Sequence, residues 1–382
     1  MFDASYIELD RSALEHNLSL LKTWYGNDVK YSSVVKGNAY GHGLNKFVKM
    51  CIDAGVDHFS VFSAREAYEL INENGNGFDL LVMGMIEGDA IPWAILNNVE
   101  YFVFDLKRLK ETIAFARKLN RKAIIHLELE TGMNRTGMHG KELKKSLELI
   151  ADNRDHIDLK GVCTHFAGAE SISNYHRIKR QRERFKRASN KISDSFDTVR
   201  QIHAACSAAS LMYPATRYDL VRIGILQYGF FPSQEVLISF LSKNKLTEDP
   251  LRRVLSWKSI VMDVNHVKAG EFIGYGTSYL TNKPSKIAIV PVGYANGFKR
   301  SLSNQGRVLI RGSRLNVVGM VNMNMMAVDV SGLEEVTKGD EVVFIGQQND
   351  IEMSVASFSD YSHQVNYELL TRLPKDIPRI IK

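Results

Sequence analysis

Eight short β-rich runs recur between residues 30 and 230, and stretches of helical spacing separate them. The runs are 31–36, 58–62, 80–85, 101–104, 123–129, 159–166, 199–204 and 219–223. Among the intervening segments, 44–54, 64–72, 107–118 and 141–151 place apolar residues three and four apart, the period of an amphipathic helix. Strand alternating with helix predicts a parallel sheet. Eight such units are closed most economically as a (β/α)8 barrel. A doubly wound open sheet is the rival, but no glycine-rich dinucleotide fingerprint follows the first run.

After about residue 235 the helical period fades. Strand candidates at 254–264, 286–292, 308–310, 316–320, 326–330 and 341–345 are separated by Gly, Asn, Asp and Ser clusters. The division expected is a barrel domain at 1–240 and a C-terminal β domain at 241–382, linked around 243–250. Two domains also suit 382 residues, too many for one ordinary core. The strand candidate 6–9 could join either domain.

Composition narrows the function classes. The formal charge of +6, from 49 basic and 43 acidic residues, is a mild excess spread along the chain, without the footprint of nucleic-acid binding. Its densest basic stretch, 179–187, falls in a helical pattern and reads as a solvated face. Cys51, Cys163 and Cys206 lack metal-ligand spacing and do not suggest a disulfide framework, so no metal site is expected. No apolar run is long enough for a bilayer, and the first residues lack the basic and apolar regions of a signal peptide. A cytoplasmic enzyme without membrane or nucleic-acid partners is expected.

Catalytic groups of a barrel gather at the C-terminal ends of its strands. Lys36 closes the first run there, and partial burial favours the neutral, nucleophilic amine that a Schiff-base lysine needs. Taken alone, it reads first as a surface lysine beside a flexible loop. At the last two runs, the small residues around Ser207 and the stretch Arg222-Ile223-Gly224-Ile225 would let backbone N–H groups approach a phosphate. Tight packing of small residues would account for that region equally well. An amine at one end and a phosphate cradle at the other together describe a site for pyridoxal phosphate (PLP).

Val35-Lys36-Gly37-Asn38-Ala39-Tyr40-Gly41-His42-Gly43 closely resembles the cofactor-lysine signature of alanine racemases. The resemblance continues in order through Glu130–Gly137, Thr164–Ala167, Ser207–Ala209, Arg222–Ile225, Gly274–Gly276, Gly293–Gly297 and Pro378-Arg379. It implies a PLP barrel followed by a β domain, with the N-terminal strand on the β domain, in a homodimer whose active sites lie at the interface. It also implies two-base racemisation of an amino acid, L-alanine first. Lys36 would carry PLP and serve one face of Cα, and Tyr275 of the partner subunit would serve the other. Phenols ordinarily ionise near pH 10, so Tyr275 would need help from His165, backed in turn by Arg222. Arg222 would face the pyridine nitrogen and leave it unprotonated, because an arginine does not give up its proton. Arg135 and the backbone N–H of Met323 would bind the substrate carboxylate. Tyr40, Ser207, Gly224 and Ile225 would grip the phosphate, and Tyr294 would reach the partner's barrel with Tyr275 and Met323.

Four positions depart from the family pattern. Glu128 stands where several members carry a carbamylated lysine, and would supply the same negative charge beside Arg135. Asn296 and Asn324 replace aspartates near the substrate entrance. Lys375 replaces a tyrosine that touches the phosphate and narrows the pocket, which opens racemisation of serine or of a larger or basic amino acid as an alternative. A basic amino-acid decarboxylase and a non-catalytic PLP carrier are the other readings. Decarboxylases place an acidic residue at the pyridine nitrogen, and PLP carriers are typically the barrel alone.

Overall fold

The structure is a computed structural model describing residues 3–355 and 366–382. The chain forms two compact units: Ala13–Lys36 with Val48–Arg252, and Met1–Ser12 with Gly37–Phe47 and Arg253–Lys382. The first strand, β1 (Ser5–Leu9), belongs to the second of these and is described with it.

The first unit is a nearly closed parallel barrel of eight strands. They are β2 (Lys30–Val34), β3 (His58–Ser63), β4 (Asp79–Met85), β5 (Glu100–Val103), β6 (Ala123–Glu128), β7 (Ile157–Cys163), β8 (Gln201–His203) and β9 (Leu220–Ile223). Each pairs with its sequence neighbour from β2 to β8, and β9 returns to pair with β2. The seam between β8 and β9 is drawn together where Arg222 N donates to Ala205 O at 3.0 Å and Asp219 N to Ile202 O at 3.1 Å.

Local chemistry sets where the covering helices begin. Ser63 ends β3 and caps the helix Ala64–Asn74: its hydroxyl accepts from Glu66 N, and the Glu66 carboxylate accepts from Ser63 N. Asp105 caps Leu106–Leu119 in the same sense through Arg108 N. In Tyr175–Ser195 the buried residues Ile178, Gln181, Phe185, Ser189 and Ile192 trace one stripe. Lys179, Arg180, Lys186 and Arg187 are exposed, so the basic run is the solvated face expected.

The second unit is built on a sheet of order β11-β12-β15-β14-β13-β16-β10-β1-β18, with β17 on β16. Its strands beyond β1 are β10 (Leu255–Ile260), β11 (Asp263–Val267), β12 (Ser285–Val290), β13 (Arg307–Ile310), β14 (Ser313–Val318), β15 (Met326–Asp329), β16 (Glu341–Gln348), β17 (Ile351–Met353) and β18 (Arg379–Ile381). Strand β1 runs antiparallel to β10, with Ile7 opposite Trp257, so the N-terminal strand joins this sheet. The continuous run expected at 254–264 is two strands. Val261 still bonds beside β16, through Asp340 O, while Met262 N already bonds to Ile289 of β12, so the chain changes partners between them. Trp257, Phe298 and Phe344 pack the core. No helix among the described residues is long and apolar enough to cross a membrane.

Candidate active site

Lys36 lies just past the C-terminal end of β2, and the chain then turns sharply. Gly37, Asn38, Ala39 and Tyr40 all have φ between 50° and 64°, which makes one left-handed helical turn rather than the flexible loop weighed above. Such a turn costs about 1 kcal/mol or more for each residue other than glycine. It is held by Gly41 N on Gly37 O, Gly43 N on Asn38 O, and Leu44 N on the Asn38 side chain. Gly41 has no substitute: a Cβ there would stand 1.8 Å from Leu370 O. Arg379 Nη2 reaches the Gly41 carbonyl at 2.9 Å, while its Nη1 gathers the carbonyls of Pro374, Lys375 and Ile377. The C-terminal Pro378-Arg379 block thus buttresses the turn that follows Lys36.

The Lys36 side chain is open to solvent, as a ligand-receiving amine must be. Its flanks are nonetheless walled by protein, and that burial, with the positive charges of Arg135 and Arg222, holds its pKa below the usual lysine value. The arrangement favours a nucleophilic amine.

Arg222 is 4% exposed on β9. Its guanidinium donates to Thr164 O at 2.8 Å, to Ala204 O at 3.4 Å, and to both Nδ1 and O of His203. The guanidinium is thus anchored on the carbonyl of Thr164, the residue before His165. His165, on the same side of the barrel, is kept neutral by burial and by repulsion from Arg222, Arg135 and Lys36, its pKa falling to about 3. Ser207 Oγ accepts from Gly224 N at 3.1 Å, which ties the small-residue segment after β8 to the one after β9. Ser207, Gly224 and Ile225 are all buried.

Arg135 is exposed on the segment that follows β6, and Glu128 is buried at the end of that strand. Burial raises the Glu128 pKa, while a hydrogen bond with Thr136 and the charges of Arg135 and Arg222 oppose the rise. Arg177 and Arg184 pin the carbonyls of Gly132 and Thr131, which steadies the stretch leading to Arg135.

In the second unit, Tyr275 is 73% exposed between Gly274 and Gly276, whose φ values of 72° and 68° hold it on a tight projecting turn. Met323 is 56% exposed. Its carbonyl accepts from Ala295 N, and Asn322 O accepts from Tyr294 N, so the Gly293–Gly297 block is laced to the segment that carries Met323. Gly293 allows that approach, since a Cβ would come within 2.2 Å of Asn322 O. The Asn296 side chain accepts from Gly293 N at 3.1 Å, a turn-closing bond that an aspartate would make equally well. Lys375 is exposed, and Tyr40 is half-buried.

Sequence reasoning passed over four buried groups in the barrel: His58, Glu100, His126 and His203. The signal was available, since each is an ionisable side chain within or directly before one of the strand-like runs. Burial holds His126 and His203 below the ordinary histidine pKa. Unfolded, both would titrate near pH 6.5, so their contribution to stability is complete above that pH and is lost as pH falls. Urea denaturation at pH 7.5 and 5.5 is expected to show a lower midpoint in acid, each group costing up to about 1.4 kcal/mol per pH unit below its unfolded pKa.

Comparison with known proteins gives a consistent result. Residues 9–232 match the family model described as alanine racemase, N-terminal domain, and 254–381 the one described as alanine racemase, C-terminal domain. The chain is 33% identical to the alanine racemase of Leptospira interrogans over 380 residues, 99% of this chain and 96% of that protein. It superposes on the alanine racemase of Bacillus anthracis with bound L-Ala-P at a TM-score of 0.89 and 31% identity, covering 100% of this chain and 96% of the other. The Bartonella henselae alanine racemase with covalently bound pyridoxal phosphate superposes at a TM-score of 0.83 and 25% identity, over 100% of both chains.

Proposed function

The chain belongs to the alanine racemase family, and on that premise we propose that it interconverts L- and D-alanine as a homodimer, with pyridoxal phosphate held at Lys36. One observation carries the reading: a lysine amine stands at the end of a barrel strand, where burial and two guanidinium groups disfavour its charge.

The donor set fits the cofactor. Lys36 offers a primary amine able to condense with an aldehyde, Ser207 a buried hydroxyl among small residues, and Arg222 an immobilised cation. Tyr40, Ser207, Gly224 and Ile225 are the residues that would hold the phosphate. Once bound, pyridoxal phosphate supplies the electron sink that makes removal of the Cα proton feasible.

The remaining work falls to side chains of this protein. Lys36 Nζ takes or returns the Cα proton on one face, and Tyr275 Oη of a second copy does so on the other. Arg222 keeps its own proton and so donates none to the ring nitrogen. His165, neutral at physiological pH, can share a proton with the Tyr275 hydroxyl as donor or acceptor. Arg135 and the Met323 N–H orient the carboxylate. The exposure of Tyr275 and Met323 supports their use by a second copy, and three free cysteines suit a reducing, cytoplasmic setting.

Incubation of the PLP-loaded protein in deuterated water with L-alanine, L-serine or L-lysine tests the assignment. Loss of optical activity with Cα deuteration is expected for alanine well above the others. Preference for serine or lysine would move the specificity to the Lys375 region, and carbon dioxide release would favour a decarboxylase. Glu128→Gln is expected to lower kcat/KM for alanine about tenfold, the loss of one charge-assisted interaction. Unchanged kinetics in that variant would remove Glu128 from the substrate site.

A further inference from the structure

A line of buried polar side chains runs through the barrel from Arg222 toward the opposite end of the strands. Arg222 Nη1 donates to His203 Nδ1, His203 Nε2 lies 2.8 Å from His126 Nδ1, and His126 Nε2 lies 2.7 Å from Glu100 Oε2. Both rings are 0% exposed, and Glu100 is 1% exposed. Gly161 on β7 leaves the slot for the His126 ring, since a Cβ there would fall 2.2 Å from its Nδ1.

The direction of every bond in this line follows from its ends. A guanidinium only donates, so His203 Nδ1 must be the acceptor. A neutral His203 then carries its proton on Nε2 and donates it to His126 Nδ1. His126 in turn carries its proton on Nε2 and donates to Glu100, which as a carboxylate only accepts. Any other assignment sets two N–H groups, or two lone pairs, against each other in a water-free interior. Burial keeps both rings neutral, and for Glu100 the hydrogen bond from His126, with attraction to His58, overcomes burial and keeps the carboxyl ionised.

The far end is anchored too. Lys160 pairs with the other Glu100 oxygen and approaches Asp79 at 3.5 Å, and Lys30 meets Asp79 at 2.6 Å. His58, Asp79 and Glu100 converge closely enough to suggest a cation site, but the two ammonium groups already neutralise those carboxylates.

We propose that Glu100 and His126 are positioning residues for Arg222, the carboxylate locking two histidines into the one tautomeric sequence that presents an acceptor to the guanidinium. Both imidazole dipoles then point their negative ends at Arg222, which holds it charged and oriented. The consequence for catalysis rests on the racemase reading above; the tautomers do not.

The test is 15N NMR of histidine-labelled, PLP-loaded protein at neutral pH, with kinetics on variants. Wild-type His203 and His126 are expected to be neutral Nε2–H tautomers; an Nδ1–H form or a cation at either overturns the proposal. In Glu100→Gln the amide has one oxygen for two donors, His126 and Lys160. Its NH2 group turns toward one of them, and facing His126 it favours the Nδ1–H form along the line. That variant is expected to lose kcat on the order of tenfold, the size of one charge-assisted hydrogen bond, with KM within about twofold. Pairing it with Lys160→Met, which frees the amide oxygen for His126, should restore both the tautomers and most of kcat. Unchanged tautomers and kcat in Glu100→Gln would end the idea, and if that variant does not fold, the wild-type resonances decide. Correct tautomers in a protein that does not racemise alanine would sink the racemase reading alone.

Discussion

Lys36→Ala is expected to reduce alanine racemisation by on the order of 10⁴-fold or more, as removal of a reacting group does in enzymes whose residues act as a unit. The side chain is asked to hold the cofactor and to move the Cα proton on one face, so one truncation ends both. Lys36→Arg should fail as completely, because a guanidinium stays protonated and cannot condense with an aldehyde. Borohydride reduction of the PLP-loaded protein followed by peptide mass spectrometry should place the adduct on Lys36 and find none in either variant.

Other lysines provide the control. Lys30 and Lys160 are paired with Asp79 and Glu100, and Lys46 donates to the Arg379 carbonyl, so each amine is committed elsewhere. Lys36 instead stands open beside two guanidinium groups that disfavour its proton. An adduct found on another lysine, with Lys36→Ala still active, would overturn the proposed site.

Much of this was legible before the structure. The barrel strands could be read because burial on both faces of a parallel sheet writes short apolar runs, and the covering helices because a single stripe faces inward. Lys36 stood out for its place at the end of the first run. The left-handed turn behind it was not legible, since Ala39 and Tyr40 carry no local preference for positive φ; the conformation is held by Gly41 against Leu370 and by Arg379, more than 300 residues away. The path from Arg222 to Glu100 was hidden for a related reason. His126 lies within, and Glu100 directly before, runs that were read for their apolar residues, and which polar side chain meets which is set by the stagger of neighbouring strands.

Tyr275→Phe separates the two faces of the reaction, because it removes one hydroxyl and keeps the ring of a residue that is 73% exposed. With Lys36 intact, one face of Cα still has its base. Racemisation in both directions is expected to fall about 10²- to 10⁴-fold, the usual contribution of a positioned acid–base group. In deuterated water one alanine enantiomer should still exchange its Cα proton without inversion, whereas the other should do neither. A one-base enzyme, or one in which water replaces the phenol, would show exchange and inversion falling together for both enantiomers. Mixing Tyr275→Phe with Lys36→Ala subunits adds the assembly to the same measurement. If Tyr275 serves the barrel of a second copy, heterodimers combine one intact site with one doubly damaged site, and activity should return. If each copy uses its own Tyr275, every site keeps one defect and the mixture stays silent. Recovered activity would thus support the homodimer and the two-base roles at once, and its absence, with heterodimers shown to form, would place both bases on one chain.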